Sequence, residues 1–365
     1  MKILFLSNSI GGLISFRYEF IEKLRSLGND VYISSPLEVS PECFVKMGCE
    51  IIPTSFAQRG MNPLSEFKII GLYNNIISSI HPDIVLSYTI KPNIYGSIAC
   101  RKLGIPIIAS VTGLGVAMEK EGILQKITVA LFKYGFKKTD FVFFQNQESI
   151  DFFIKKKIPL KDYTLSPGSG VNLKKFIYQD YPAEEGPIKF LFISRILEAK
   201  GIKQYLDAAT YCKKYNMNTE FHIVGIRDDK RYDELIDKMH KENTIVFHGQ
   251  QADVRPFIKE CHCLIHPSYY PEGLSNVLLE SAATGRPAIT TDKAGCKEVV
   301  LDKSTGFLVR QKDSEDLIEK IKCFLDLSYE EKKNLGLTAR KRVEDYFSRD
   351  YVIQLYMDKI NQLVK

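Results

Sequence analysis

No stretch of this 365-residue chain approaches the roughly 20 consecutive apolar residues needed to span a bilayer. Nor does it open like a secreted precursor. Met1-Lys2-Ile3-Leu4-Phe5-Leu6 is apolar, but Ser7-Asn8-Ser9 follow at once, so the run is too short for a signal-peptide core and reads as a first buried strand. A cytoplasmic location is expected. Eight cysteines lie at irregular spacings, several inside apolar runs, which excludes a disulfide framework as the organising principle. Cys261-His262-Cys263-Leu264-Ile265-His266 groups metal-ligand residue types, yet alternate residues of a strand face opposite sides, so no shared ion is expected there. There is also no Asp-x-Asp triplet, no low-complexity segment and no short-period repeat.

What is present suits two ordinary soluble domains. The length exceeds one typical core, and 45% hydrophobic with 26% charged residues supplies both core and surface. The net charge of +6 is unevenly placed: up to position 165 there are 19 Lys and Arg against 14 Asp and Glu, whereas the remainder has 31 against 30. No aromatic-basic interleaving marks a nucleic-acid surface. A pyrophosphate-bearing substrate or an anionic membrane surface fits the basic half better.

Short apolar runs alternate with amphipathic stretches, the rhythm of βαβ units. Strands are expected at 3–7, 31–34, 84–87, 107–110 and 141–144, with helices at 16–27 and 95–103. The turn-rich stretches 165–170 and 181–187 bracket a linker. Strands resume at 189–193, 221–224, 244–247, 263–266 and 288–291, with helices at 203–215, 231–241, 314–327, 329–343 and 350–363. The expectation is two doubly wound domains, 1–170 and 171–345, with residues 346–365 forming a helix that crosses back to the first.

The most informative segment is Pro267-Ser268-Tyr269-Tyr270-Pro271-Glu272-Gly273-Leu274-Ser275-Asn276-Val277-Leu278-Leu279-Glu280, between an expected strand and an expected helix. Gly273 lets the backbone pass close to a ligand. Ser275 is placed as helix cap, and the amides around Leu274, Ser275 and Asn276 would form an anion site suited to a diphosphate. Glu272 and Glu280 flank it, and carboxylates beside a phosphate are tolerable when they accept hydrogen bonds from sugar hydroxyls.

This pattern, together with Thr284-Gly285-Arg286-Pro287, resembles the retaining glycosyltransferases of the GT-B fold, family 4 type. The resemblance implies two Rossmann-like domains facing a central cleft. Glu280 would then hold the donor's ribose hydroxyls and Glu272 would contact the transferred sugar. Phe192-Ile193-Ser194-Arg195-Ile196-Leu197-Glu198-Ala199-Lys200-Gly201 matches the same family's strand-end Arg and loop Lys. Arg195 and Lys200 would grip the donor diphosphate, where fixed cations stabilise charge growing on the leaving phosphate. Gly11-Gly12 after the first strand, with Gly12 as the donor-side candidate, and His248-Gly249-Gln250 as the nucleotide-base segment complete the match. Asp292–Glu298 corresponds to a further loop, read as structural.

One departure concerns the first domain. Many relatives carry a His near a strand end, where this chain has Ser110-Val111-Thr112-Gly113-Leu114-Gly115. Thr112 and Gly113 become the acceptor-side candidates, and retention would rest on a same-face displacement without a side-chain nucleophile. By resemblance the chain is a hexosyl- or N-acetylhexosaminyltransferase using a nucleotide-diphosphate sugar, with UDP expected, and no metal or other cofactor. Its acceptor is expected to be a saccharide, lipid-linked in surface polysaccharide or glycan assembly. The alternatives are a nucleotide-sugar 2-epimerase of the same fold and a non-catalytic nucleotide-sugar-binding protein. Finally, Leu124–Lys138 mixes large apolar residues with Lys126, Lys133, Lys137 and Lys138, and Lys120 precedes it. Peripheral contact with an anionic membrane and a core helix with a solvated basic face are both open.

Overall fold

The structure, a computed structural model, describes residues 1–54, 63–115, 118 and 121–364, with the side chains of 63–67 left aside. Two compact units emerge: Met1–Ser169 with Val352–Lys365, and Gly170–Tyr351. Among the described residues no helix is long and apolar enough to cross a membrane.

The first unit runs β1 (Lys2–Leu6), α1 (Ile10–Ser26), β2 (Asp30–Ser35), α2 (Glu42–Lys46), β3 (Glu50–Pro53), α3 (Pro63–Ile80), β4 (Ile84–Tyr88), α4 (Ile90–Leu103), β5 (Ile107–Val111), α5 (Ile123–Gly135), β6 (Phe141–Phe144), α6 (Gln147–Lys155) and β7 (Tyr163–Leu165). Its seven strands form one sheet in the order β3-β2-β1-β4-β5-β6-β7, every pair parallel. Ile84–Tyr88 and Phe141–Phe144 are buried at every position, as expected for strands covered on both faces.

The second unit continues with β8 (Ile188–Ile193), α7 (Ile202–Lys214), β9 (Thr219–Val224), α8 (Asp233–Lys241), β10 (Val246–Phe247), α9 (Arg255–Glu260), β11 (Cys263–His266), α10 (Asn276–Ala283), β12 (Ala288–Thr291), β13 (Gly306–Val309), α11 (Ser314–Leu325) and α12 (Tyr329–Tyr346). Its sheet order is β10-β9-β8-β11-β12-β13, again all parallel. The last helix, α13 (Arg349–Leu363), leaves the second unit and buries Val352, Tyr356 and Ile360 in the first unit's core. There the Tyr356 ring stacks on Phe143 at 4.2 Å, and its hydroxyl lies 2.7 Å from Ser110 Oγ.

Several boundaries differ from the sequence expectations. Helix α1 starts at Ile10, six residues before the expected Phe16. Ser9 caps it by accepting the Gly12 N–H at 2.9 Å, and Ile10 and Leu13 already face the core. Gly11-Gly12 is therefore the helix's first turn rather than a preceding loop; the glycine pair hides the start because it lacks apolar periodicity. Strands β3, β7 and β13 and helices α2, α3, α6 and α9 were not individually anticipated. The first two are short, partly exposed sheet members without a strong apolar run.

Candidate active site

In the second unit the chain passes from β8 outward through β9 and β10, then returns to lay β11 on the other side of β8. Ligands of open parallel sheets bind at such a reversal, outside the strands' carboxyl ends. The loops leaving β8 and β11 meet there. Gly201 adopts φ +79, and a Cβ on it would lie 2.1 Å from the Pro267 carbonyl oxygen, so no side chain fits between the two loops. The Tyr269 N–H donates to the Ala199 carbonyl at 2.9 Å, fixing their register.

That packing gathers charge. Lys200 Nζ forms an ion pair with the Glu272 carboxylate. The Tyr270 ring is approached by two cations, its centroid 5.6 Å from the Arg195 guanidinium carbon and 5.1 Å from Lys200 Nζ. Burial pulls Lys200 down to about 8, and the charge of Arg195 acts in the same direction. The nearby Cys296 pulls the other way. Arg195 is steered from outside by Asp228, whose Oδ2 accepts from Nη1 at 2.7 Å. Asp228 was not foreseen, since nothing in its local sequence distinguishes it from a surface acid.

Helix α10 begins beside this cluster. Gly295, with φ +91, comes so near that a Cβ on it would stand 2.9 Å from the Gly273 carbonyl oxygen. The Ser275 N–H donates to the Gly295 carbonyl at 2.8 Å, and the Gly295 N–H donates to Glu298 Oε2 at 2.6 Å. Ser275 does occupy the N-cap position, but its hydroxyl makes no cap bond to the helix amides. It is engaged instead by His266 Nε2 at 3.2 Å. This corrects the expected cap: the last residue of β11 competes for the hydroxyl and wins. His266 is buried, and burial followed by the nearby Lys200 charge pushes its imidazole well below the usual range, so it is neutral. Leu274 is buried and Asn276 opens the helix. Glu280 sits one turn inside, its carboxyl pushed up to about 7 by burial while Lys175 and Arg349 pull the other way.

Gly249 follows β10 with φ +69, and its carbonyl accepts from the Gly225 N–H at 2.9 Å. Nearby, Leu191, His222, His248, Pro256, Phe257 and Cys261 help line a cavity of about 230 Å³. The His222 and His248 rings are stacked, 5.3 Å apart with 6° between their planes. In Cys261–His266, His262 spends both ring nitrogens on the backbone of Lys189 and Ala183, and Cys261 Sγ donates to the Ile258 carbonyl.

Gly12, Thr112 and Gly113 belong to the first unit. Its own reversal lies between β1 and β4. Beside the first turn of α1, Glu38 accepts from the Ser9 hydroxyl and from the Gly11 N–H at 3.0 Å. Although burial opposes it, these bonds hold the Glu38 carboxyl below the usual range. Thr112 and Gly113 follow β5, Gly113 with φ +127. Sequence reasoning missed Thr89, after β4: it holds φ +73, a strained value for a β-branched residue, and its buried hydroxyl has no partner among the described residues.

Residues 2–146 match a family model described as "Glycosyl transferase 4-like", and residues 174–342 match "Glycosyl transferases group 1". Among curated relatives, a Campylobacter jejuni N,N'-diacetylbacillosaminyl-diphospho-undecaprenol alpha-1,3-N-acetylgalactosaminyltransferase is 24% identical over the full length of both chains. The Staphylococcus aureus capsular polysaccharide biosynthesis glycosyltransferase CapM is 25% identical, covering 94% of this chain and 93% of its own. Among solved structures, a Rickettsia africae glycosyltransferase superposes with a TM-score of 0.81 at 20% identity, over 100% of this chain and 98% of the other. Anabaena HepE in complex with UDP superposes with a TM-score of 0.80 at 16% identity, over 99% and 100%.

Proposed function

The chain belongs to the group 1 and 4-like glycosyltransferases, built as two Rossmann-like domains of the GT-B fold, and from that premise we propose that it transfers a sugar, with retention, from a UDP-sugar to a hydroxyl of a lipid-linked saccharide on the cytoplasmic side. The observation that carries this reading is the convergence of Arg195, Lys200 and Glu272 at the sheet reversal, ahead of the α10 N-terminus. Two cations and a helix N-terminus suit a diphosphate that gains charge as its bond to the sugar breaks. In this reading Glu272 swings from Lys200 to the sugar hydroxyls when the phosphate takes the ammonium. Glu280 accepts the ribose hydroxyls, the amides of Gly273 and Leu274 approach the phosphates, and Gly249 borders the base. The side-chain cations supply the positive charge, so the rate is expected to be insensitive to a chelator. Gly12, Thr112 and Gly113 are assigned to the first domain's share of the donor and acceptor.

The acceptor assignment draws on relatives whose names specify diphospho-undecaprenol saccharides, among them an Escherichia coli UDP-Gal:alpha-D-GlcNAc-diphosphoundecaprenol alpha-1,3-galactosyltransferase, 24% identical over 83% of this chain. Transfer from a panel of UDP-, GDP-, ADP- and TDP-sugars to undecaprenyl-diphosphate saccharides, with the product's anomeric configuration read by NMR, tests it. Inversion, or turnover without any acceptor, would overturn the mechanism.

Donor binding can be read separately. A nucleotide sugar at a hundred times its Kd is expected to stabilise the fold by about 2.7 kcal/mol, and Glu280→Ala is expected to abolish the shift. Ribose hydroxyls favour the carboxylate form of a group whose pKa stands near 7 in the free protein. Affinity is therefore expected to fall as pH drops below 7, with release of a proton on binding, and Glu280→Gln should remove that pH dependence. Titration calorimetry in buffers of different ionisation enthalpy checks the proton count.

A further inference from the structure

One face of the second sheet is covered unevenly. Leu191 on β8 and His222 on β9 are register partners and share that face, as does Val224 two residues further along β9. Val224 is buried in one cluster with Leu191 and Ile258, whereas His222 is only half-buried. His248 stands two residues beyond Val246, the register partner of His222, and so joins the same face. Helix α9 lies over this corner, but its six residues amount to roughly 9 Å of helix, too short to close the face. What remains open is a cavity of about 230 Å³.

Two imidazoles form part of its wall. His222 Nδ1 and His248 Nε2 lie 3.0 Å apart, while the ring centroids are 5.3 Å apart and the planes differ by 6°. At that centroid distance parallel rings bring two nitrogens so close only when they meet edge to edge. The pair is therefore one flat plate, two rings long. Glu220 sets its polarity, since a carboxylate only accepts and its Oε2 lies 3.2 Å from His222 Nε2. In the neutral pair that nitrogen carries the hydrogen, His222 Nδ1 accepts, and His248 Nε2 donates. The other walls are apolar: Leu191, Pro256, Phe257 and Cys261. The Phe257 ring stands 4.8 Å from that of His248, and Cys261 Sγ already donates to the Ile258 carbonyl. At the rim Lys189 Nζ and Glu260 Oε2 face each other at 4.0 Å, so the mouth carries no net charge.

We propose that this cavity is a binding site for a small, flat, uncharged aromatic molecule of one or two rings. Water gains little there, because both His222 nitrogens, His248 Nε2 and the Cys261 thiol are already engaged. Solvent held against apolar walls without good partners is displaced with a gain by an apolar group. An apolar cavity of about 150 Å³ accepts benzene, so the larger volume here leaves room for a second fused ring. The imidazole plate and the tilted Phe257 ring favour an aromatic occupant over a branched aliphatic one, since rings gain from offset and edge contacts with other rings. The site is separate from the Arg195–Lys200–Glu272 cluster. None of those three lines it, and its rim lies at the second position of β8, towards that strand's amino end, and at the last residue of α9. The inference goes beyond the transfer reaction and does not depend on it, since such binding needs neither donor nor acceptor.

Thermal melting and NMR of the whole protein with indole and toluene test it. The expected result is a melting temperature that rises with ligand concentration, together with intermolecular NOEs from bound indole to the Leu191 methyl groups. Saturating UDP should leave the indole affinity unchanged. Benzoate, which has the shape of toluene with a full charge added, should bind at least about tenfold more weakly than toluene. Leu191→Phe fills the cavity and should weaken indole at least about tenfold while keeping or raising the melting temperature. If that variant folds poorly, the NOEs still locate the ligand in the unaltered protein. Absence of NOEs to Leu191 at the solubility limit of indole would overturn the proposal, as would benzoate binding as tightly as toluene. So would undiminished indole binding in a folded Leu191→Phe variant. Displacement of indole by UDP would also overturn it, by making the cavity part of the nucleotide site.

Discussion

Lys200→Met is expected to lower kcat/KM by about 10²- to 10³-fold, the loss typical of removing one preorganised charge from a developing anion. The substitution has a second effect that must be separated from the first. Lys200 and Glu272 are an ion pair with side chains 10% and 21% exposed, and removing one partner of a buried pair leaves the other charge uncompensated. Lys200→Met alone should therefore also destabilise the second unit, and Glu272→Gln added to it should restore much of the lost melting temperature without restoring turnover. Stability and activity would then move apart in the double variant. A double variant that regained activity along with stability would mean that Lys200 acts only through Glu272, and the phosphate role would fail. Lys200→Arg keeps charge but not shape; the tight contact of Gly201 with Pro267 leaves no slack for a planar fork, so a partial loss is expected.

Arg286→Met should be the most destabilising exchange in the second unit, at about 4 kcal/mol. Arg286 is fully buried yet meets no carboxylate among the described residues. Its guanidinium donates instead to the carbonyls of Ile258, Gln179, Asp180 and Lys259, at 3.2, 3.0, 2.7 and 2.8 Å, with longer contacts to Thr284 and Gly285. Those carbonyls end α9 and α10 and anchor the 179–180 segment, and all of them would lose this donor, the Ile258 carbonyl keeping only Cys261 Sγ. Arg286→Lys retains the charge but can satisfy only part of the fan, so an intermediate loss is expected. Denaturant unfolding followed on the second unit's transition checks both, and a loss below about 1 kcal/mol for Arg286→Met would show that the carbonyls find other donors.

These two residues also mark where sequence reasoning ends. Strands β11 and β12 fall at the expected bounds because each is a short apolar run closed by turn residues, and parallel sheets bury such runs on both faces. The residue types at positions 195, 200 and 272 announce anion chemistry through local motifs. Their pairing does not, because it depends on the β8 and β11 loops being placed side by side by a strand order that no local window contains. The same holds for His266 and Ser275: a serine before a helix is a fair cap until a buried imidazole nine positions away takes its hydroxyl. Asp228 and Thr89 were invisible for a related reason, one being an ordinary acid until Arg195 reaches it, the other an ordinary threonine until its backbone is forced to φ +73. Arg286 was noticed only as one letter of a motif; its role lies in six carbonyls, four of them supplied by two distant segments.

Helix α13 has a consequence for the order of events during synthesis. The first unit's core is completed by Val352, Tyr356 and Ile360, residues translated after the entire second unit. The crossing back is compact: Val171 bridges to Ser348, and the Arg349 N–H donates to the Val171 carbonyl at 2.9 Å, so the second unit's entry and exit segments lie side by side. Domains usually mature in the order in which they leave the ribosome. The second unit holds its whole core within residues 170–351, whereas the amino-terminal half shows Phe20, Tyr88 and Phe143 until Tyr356 docks. Without those last turns the amino-terminal half leaves that apolar surface open, so released chains truncated at residue 351 should resist proteolysis in the second unit but not in the first.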